Sequence, residues 1–294
     1  MPTNIHFNLH IIWYESLIIN ELFDSIKNAL NYFNDVDLTI NLCLNSQTSM
    51  STPINGKPEE MFEVFKNHEI YKMSKVTLKT DSDTFFNIAD WRRDYYNENG
   101  FTVWGESDCL LPQEFFHTLD YMASEVKQEP YFVTFAHKKM FDDTWKCVEH
   151  PSLVSENLDN WHKKDMKLCC DGYISQHELD VFNSNHETSI TQNNVYKSDG
   201  ALIVLSKGFK LPFISPDINI WGDDICFTKY CEFKKIPQYF VSLMKGHNIR
   251  HPKKKSNCID VFTKDVIENK KIESFRKIFL FYAKVLKDIR EENC

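Results

Sequence analysis

Residues 100–116, GFTVWGESDCLLPQEFF, place two carboxylates, Glu106 and Asp108, one residue apart directly after an apolar run. Neighbouring carboxylates repel, so the pair is a poor choice for stability unless a cation sits among them. Mg2+ and Mn2+ prefer hard oxygen donors and commonly take one or two carboxylates plus phosphate oxygens. The bland alternative is a pair of surface acids in a turn. A second acidic pair, Asp223-Asp224, stands in IWGDDICFTKYCEFKKI between a Trp221-Gly222 step and an apolar helix. It reads either as capping and dipole-stabilising acids at a helix start or as a general base. Two histidines, His247 and His251, follow in MKGHNIRHPKKKS; imidazole suits Mn2+ better than Mg2+. Lys253, Lys254 and Lys255 in the same stretch either steady a diphosphate or form a solvated face.

These residues need a scaffold, and hydrophobic periodicity supplies one. Residues 5–13 read as a strand, and Ser16 is placed to cap a helix reaching about Phe33, with Ile19, Leu22, Phe23, Ile26, Leu30 and Phe33 on one face. Residues 37–44 form a second strand. Strand, helix and strand within 45 residues predict a βαβ unit and a parallel sheet. After a polar loop and a further helix come a third strand, 75–80, a helix over 90–99 ended by Gly100 at its C′ position, and a buried fourth strand, 101–105. The acids Glu106 and Asp108 thus fall at the carboxyl end of a strand, where open α/β sheets present their ligand sites. A helix from Pro112 to about Lys127, a strand at 131–137, a polar stretch over 138–195, a strand at 199–206 and an amphipathic helix from about Thr263 to Glu291 complete the expected order. The polar stretch is too long for an ordinary connection, so it is an active-site insertion or holds short helices.

The strand followed by Glu106-Ser107-Asp108 and Leu110-Leu111-Pro112 resembles the GT-A glycosyltransferases, over roughly residues 5–125, with Glu106 where most members have Asp. The resemblance implies an α/β fold of the GT-A, Rossmann-like type: a mixed, mostly parallel sheet flanked by helices. A catalytic domain would span 1–258, with a nucleotide-sugar half over 1–110 and an acceptor half over 111–258, and a helical extension over 259–294. It implies a nucleotide-sugar donor, UDP by family frequency, and Mn2+ or Mg2+ held directly by Asp108, with Glu106 acting through water or on the ribose. In the family a helix before the acids often carries an arginine that reaches the donor. Arg92 and Arg93 in ADWRRDYY are the candidates, or else they pair with Asp90 or Asp94 on a solvated helix face. Asp81 or Asp83, in the literal Asp-x-Asp at 81–83, lies near the nucleotide or caps a helix. Inverting members similar to β-galactosyltransferases have a Trp-Gly segment leading to acids, so Asp224, then Asp223, is the expected base, with Trp221 beside the donor. Ile249-Arg250-His251 resembles the Ile-Arg-His of the galactosyltransferases, which favours His251 over His247 as third metal ligand.

Composition narrows the classes. The 294 residues are 42% hydrophobic and 26% charged, with 23 Phe and only 8 Gly, which excludes collagen-like, linker-like and Gly-repeat chains. Few glycines leave backbone cradling of phosphate unavailable, which makes a cation more necessary. Neither a Walker loop, a Rossmann glycine fingerprint nor a Gly-x-Ser-x-Gly turn occurs. The net charge of -8 argues against a chain coated for nucleic acid, although Lys138-Lys139, Lys234-Lys235 and Lys253–Lys255 leave a DNA acceptor bearing a hydroxymethylated base as a second choice after a glycan or lipid-linked acceptor. The N-terminus has neither a basic n-region nor an unbroken apolar run, so neither signal peptide nor membrane anchor is expected. Nine scattered cysteines without a Cys-x-x-Cys pair point to a reducing cytoplasm and against structural zinc. His162, His177 and His186, with Trp145 and Trp161, suit acceptor contacts or ordinary burial. The C-terminal helix packs on the core or makes a homodimer. Two other functions fit the pattern: a sugar-1-phosphate nucleotidyltransferase, whose usual glycine-rich loop is missing after the first strand, and a sugar-nucleotide-binding protein without turnover.

Overall fold

Apolar and polar residues alternate along the first strand, Thr3–Ile12 (β1), and the alternation sets its two faces. Ile5, Phe7, Leu9 and Ile11 are fully buried and share one core with Ile19, Leu22, Phe23 and Ile26 of the helix Ile19–Tyr32 (α1). Each such side chain contributes about 1.5–3 kcal/mol when buried. The opposite face is polar yet ordered: Asn41 donates to Asn8 Oδ1 at 2.7 Å, Asn8 donates to the Tyr95 carbonyl at 2.5 Å, and Thr77 donates to Asn41. A sheet face that would otherwise need an apolar cover is satisfied by its own amides.

The computed structural model describes residues 2–12, 18–45, 62–63, 65–81, 88–140, 146–149, 174–193, 196, 198, 200–214, 223–248 and 251. The remaining strands are Val36–Asn45 (β2), Lys75–Asp81 (β3), Phe101–Glu106 (β4), Cys109–Leu110 (β5), Phe132–Met140 (β6), Lys146–Glu149 (β7), Ile190–Asn193 (β8), Leu202–Leu205 (β9) and Gln238–His247 (β10). The remaining helices are Ile70–Met73 (α2), Ile88–Asp94 (α3), Phe115–Glu125 (α4), Gln176–Ser184 (α5) and Asp223–Lys234 (α6). Among the described residues the strands form one sheet in the order β3-β2-β1-β4-β9-β6-β10-β5, with β7 on β6 and β8 on β10. β1 to β4 are mutually parallel, β9 enters antiparallel between β4 and β6, and β10 is parallel to β6. Six strands, β1, β2, β3, β4, β6 and β10, therefore point one way, as expected of a mixed, mostly parallel α/β sheet flanked by helices.

Two apolar layers hold this sheet. α1 and α4 cover one face through Leu22, Phe23, Phe115, Phe116 and Leu119. On the other face Trp104, Ile203 and Leu205 pack against Phe227 and Cys231 of α6, with the Trp104 and Phe227 rings edge to face at 4.8 Å. Among the described residues no helix is long and apolar enough to cross a membrane.

Several boundaries differ from expectation. α1 starts at Ile19 without a side-chain cap, and Ser16 lies outside the described residues. α3 ends at Asp94, so Gly100 is not its C′ residue; a Cβ on Gly100 would fall 2.2 Å from the Asn4 backbone oxygen. Glycine is required there by the close approach of β1, not by helix termination. α4 begins three residues after Pro112, whose carbonyl accepts from Phe115 N–H at 3.1 Å. The polar stretch 138–195 contains β7, α5 and β8; α5 opens with a full capping box between Ser175 and Glu178. The expected C-terminal helix, and with it the 259–294 extension, lies outside the described residues.

Gly100→Ala tests the close approach. Overpacking against a backbone atom should lower unfolding free energy by about 1–3 kcal/mol, read as a shifted urea midpoint at unchanged slope.

Candidate active site

β4 carries the first acids to the carboxyl edge of the sheet. Glu106 is its last residue, opposite His10, and its N–H donates to the Ala201 carbonyl at 3.0 Å. A two-residue turn, Ser107-Asp108, then reverses the chain into β5. Asp108 is only 7% exposed, and its carbonyl accepts from Asn248 N–H at 2.9 Å. Because β5 pairs antiparallel with β10, His247 stands opposite Cys109. Its Nε2 reaches 3.4 Å from Asp108 Oδ1 and 3.3 Å from Glu106 Oε2. Burial raises the Glu106 pKa, but the His247 hydrogen bond and charge, helped by Arg92, outweigh burial and the repulsion of Asp108, and the net direction is down. Donor atoms of Asp108, Cys109 and His247, all buried, lie within 4.8 Å of one another. A buried carboxylate and a partly exposed one facing an imidazole fit a divalent cation: oxygen and nitrogen donors converge, and positive charge relieves their repulsion.

The second acids reach the same edge through Arg92. α3 buries Ala89, Trp91 and Arg92, and the Arg92 guanidinium is enclosed on all sides. Nη1 donates to Asp223 Oδ2 at 2.5 Å and Nη2 to the Gly200 carbonyl at 2.5 Å. Nη2 also lies 3.6 Å from Glu106 Oε1, and the guanidinium carbon sits 5.3 Å from the Trp104 ring centroid, a cation–π distance. Burial works to lower its pKa, yet the charges of Asp223, Glu106 and Asp224 prevail and raise it. The sequence left Arg92 between a donor contact and a pairing with Asp90 or Asp94; among the described residues it meets Asp223 and Glu106. Its neighbour Arg93, its side chain 14% exposed, pairs with Asp90 and, at 3.7 Å, with Asp94, the acid partners that the sequence offered as the alternative to donor contact.

Asp223 and Asp224 open α6, where the helix dipole favours negative charge. They are not equivalent. Asp223 holds Arg92. Asp224 accepts from Ile225 N–H at 2.8 Å and leans over Gly200, at which a Cβ would stand 2.9 Å from Asp224 Oδ2. Gly200 has φ 76°, a second reason for glycine at that position. Burial first, and then the Asp223 charge, push the Asp224 pKa up to about 7, against the pull of Arg92 and of the Ile225 N–H.

The histidine brought to the acids is His247. His251, preferred on sequence grounds, instead bonds Glu21 of α1 through Nε2 at 2.9 Å. Asp81 ends β3 opposite Asn45, but its side chain, like Trp221, Asp83, Trp145, Trp161, His162 and Lys253–Lys255, lies outside the described residues. His186 stacks on Phe182 at 4.0 Å and His177 lies on α5. Lys138 and Lys139 are in β6, and Lys234 and Lys235 end α6. Cys109 was missed because a two-residue strand carries no periodicity to read; its one signal is adjacency to Asp108.

No known protein family and no curated protein matches the chain. Among solved structures, S. aureus TarS 1–349 aligns over 97% of this chain and 69% of that one, at 10% identity and a TM-score of 0.39, a likeness too slight to carry a functional argument.

Two outcomes follow from this geometry. Arg92→Met should strand the buried Asp223 carboxylate and cost about 3–5 kcal/mol of unfolding free energy, measured by denaturant titration. Asp224, raised from its ordinary 3.8 to about 7, is protonated in the folded protein and ionised in the unfolded chain between those values. Its contribution to stability is full below about pH 4 and declines as pH rises through 7. Asp224→Asn should therefore flatten that part of a stability–pH profile; an unchanged slope would show that Asp224 titrates normally.

Proposed function

We propose that this protein is a metal-dependent glycosyltransferase that moves a sugar from a nucleotide sugar, taken as a UDP-sugar, to an acceptor hydroxyl of the glycan class, with inversion. The observation that carries the reading is the junction made by Arg92, which joins Asp223 at the start of α6 to Glu106 at the end of β4. Through it two carboxylate clusters far apart in sequence share one sheet edge, one beside an imidazole and the other ending in a carboxyl of near-neutral pKa. Glycosyl transfer needs that division of labour: charge compensation where a diphosphate departs, and a base where a hydroxyl attacks.

Asp108, Glu106 and His247 are the residues that would hold Mn2+ or Mg2+, which when bound supplies positive charge beside the departing diphosphate. Asp224 accepts the proton of the acceptor hydroxyl at Oδ2 as the hydroxyl oxygen attacks the anomeric carbon and the bond to the departing nucleoside diphosphate breaks. A base titrating near 7 suits this role, since a substantial fraction is ionised at neutral pH and the carboxylate holds a proton well. Asp223 does not take the proton; bound to Arg92, it fixes the helix start from which Asp224 projects. Arg92 therefore acts through protein groups and not on the donor.

Asp224→Asn should retain nucleotide-sugar binding by calorimetry and lose about 10²–10⁴-fold in transfer rate. Asp108→Ala should lose both transfer and metal-dependent nucleotide binding while melting as a folded protein. Undiminished turnover in Asp224→Asn would remove it as the base, and undiminished turnover of Asp108→Ala in EDTA would remove the metal.

A further inference from the structure

We propose that Cys109 is a protein ligand of the cation site beside the β4–β5 turn, and that it turns this site toward a thiophilic divalent metal of the zinc class (Zn2+, Co2+, Cd2+) and away from Mg2+. The proposal rests on the metal half of the reading above and is independent of sugar transfer.

The placement of Cys109 follows from the ladder. In an antiparallel pair, residues directly opposite project to the same side of the sheet, and Cys109 is opposite His247. Asp108 immediately precedes Cys109 in the turn. Sγ of Cys109, a carboxylate oxygen of Asp108 and a ring nitrogen of His247 consequently lie within 4.8 Å of one another, and all three residues are buried. Zinc bonds of about 2.3 Å to sulfur and about 2.0 Å to nitrogen or oxygen put tetrahedral ligand atoms about 3.3–3.5 Å apart. Closing the trio onto one ion therefore asks for side-chain shifts of up to about an ångström.

The frame around the trio is stiff. Asn248, next to His247, donates its N–H to the Asp108 carbonyl at 2.9 Å. Its side chain accepts from Ile174 N–H and donates to Ile174 O, each at 2.9 Å. Gly246 completes the close approach, since a Cβ there would stand 2.9 Å from Ile174. A site held by ladder and amide in this way loses little freedom on binding an ion.

The donor set decides the metal. Carboxylate and water oxygens suit Mg2+, whereas a thiolate with an imidazole selects zinc-class ions. Cys109 Sγ donates to the Ala201 carbonyl at 3.3 Å and is thus a thiol. Binding breaks the S–H bond, the proton passes to buffer, and the sulfur lone pair goes to the metal. Asp108, Cys109 and His247 would give three protein donors, the number found in catalytic zinc sites, with Glu106 shared between Arg92 at 3.6 Å and His247 at 3.3 Å and able to add an oxygen.

The test loads chelator-stripped protein with Co2+. One equivalent should bind with a thiolate-to-cobalt charge-transfer band in the near ultraviolet. Cys109→Ser should abolish the band and weaken Co2+ and Zn2+ binding at least about tenfold while leaving Mg2+ affinity unchanged, and His247→Gln should reduce the same band. Thermal melts establish that each variant is folded; if Cys109→Ser is not, loss of the band in His247→Gln or Asp108→Asn carries the test. Cobalt bound without the band, or a band unchanged in Cys109→Ser and His247→Gln, overturns the proposal and leaves an oxygen–nitrogen cation site intact. No cobalt bound to wild type overturns both the proposal and the metal half of the functional reading.

Discussion

The buried bond between Arg92 and Asp223 sets the arrangement of everything near the sheet's carboxyl edge. A guanidinium out of water is tolerated only with its donors occupied and its charge met, and Asp223, the Gly200 carbonyl, Glu106 and the Trp104 ring do this together. Each partner belongs to a different segment: the start of α6, the approach to β9, and β4. One cation therefore fixes the relative positions of three pieces of backbone. The same bond separates the two adjacent acids in role, because Asp223 is neutralised by it and Asp224 is left to the influence of burial and of its neighbour's charge.

The sheet topology complements this bond. With β9 running antiparallel between β4 and β6, β4, β6 and β10 still end on one edge, and the reversal after Glu106 folds β5 back onto β10. Acids from the middle of the chain thereby meet a histidine from much later. The layers beneath are apolar and close-packed, so the polar groups above stand on a firm base: Trp104 packs on Phe227 on its way to Arg92.

Much of the fold was legible in the sequence, because β1, β2, β3, β4 and β6 announce themselves by alternation or by unbroken apolar runs, and α1 by its apolar stripe. The helix starts were less so: tertiary packing, not a cap, decides that α1 begins at Ile19. Gly100 was legible as important but for another reason, since a close approach between strands leaves no local trace. At the candidate site, Glu106, Asp108, Asp223 and Asp224 stood out as acids where repulsion had to be justified. What the sequence could not convey was partnership. The linear motif favoured His251 over His247, and only the β5–β10 register shows that His247 faces Asp108 while His251 bonds Glu21. Arg92 likewise reads as either a donor contact or a solvated helix residue, and neither reading anticipates that α3 turns it inward onto Asp223.

The Arg92–Asp223 bond joins residues 131 positions apart. At translation rates of roughly 5–20 residues per second, Arg92 is made on the order of ten seconds before its partner exists. Throughout that interval, docking α3 onto β1 and β4 would bury a guanidinium with its principal counter-charge missing, at a cost of several kcal/mol. Burial of α3 with its charge met is thus a non-local event, which requires that the start of α6 has already been made.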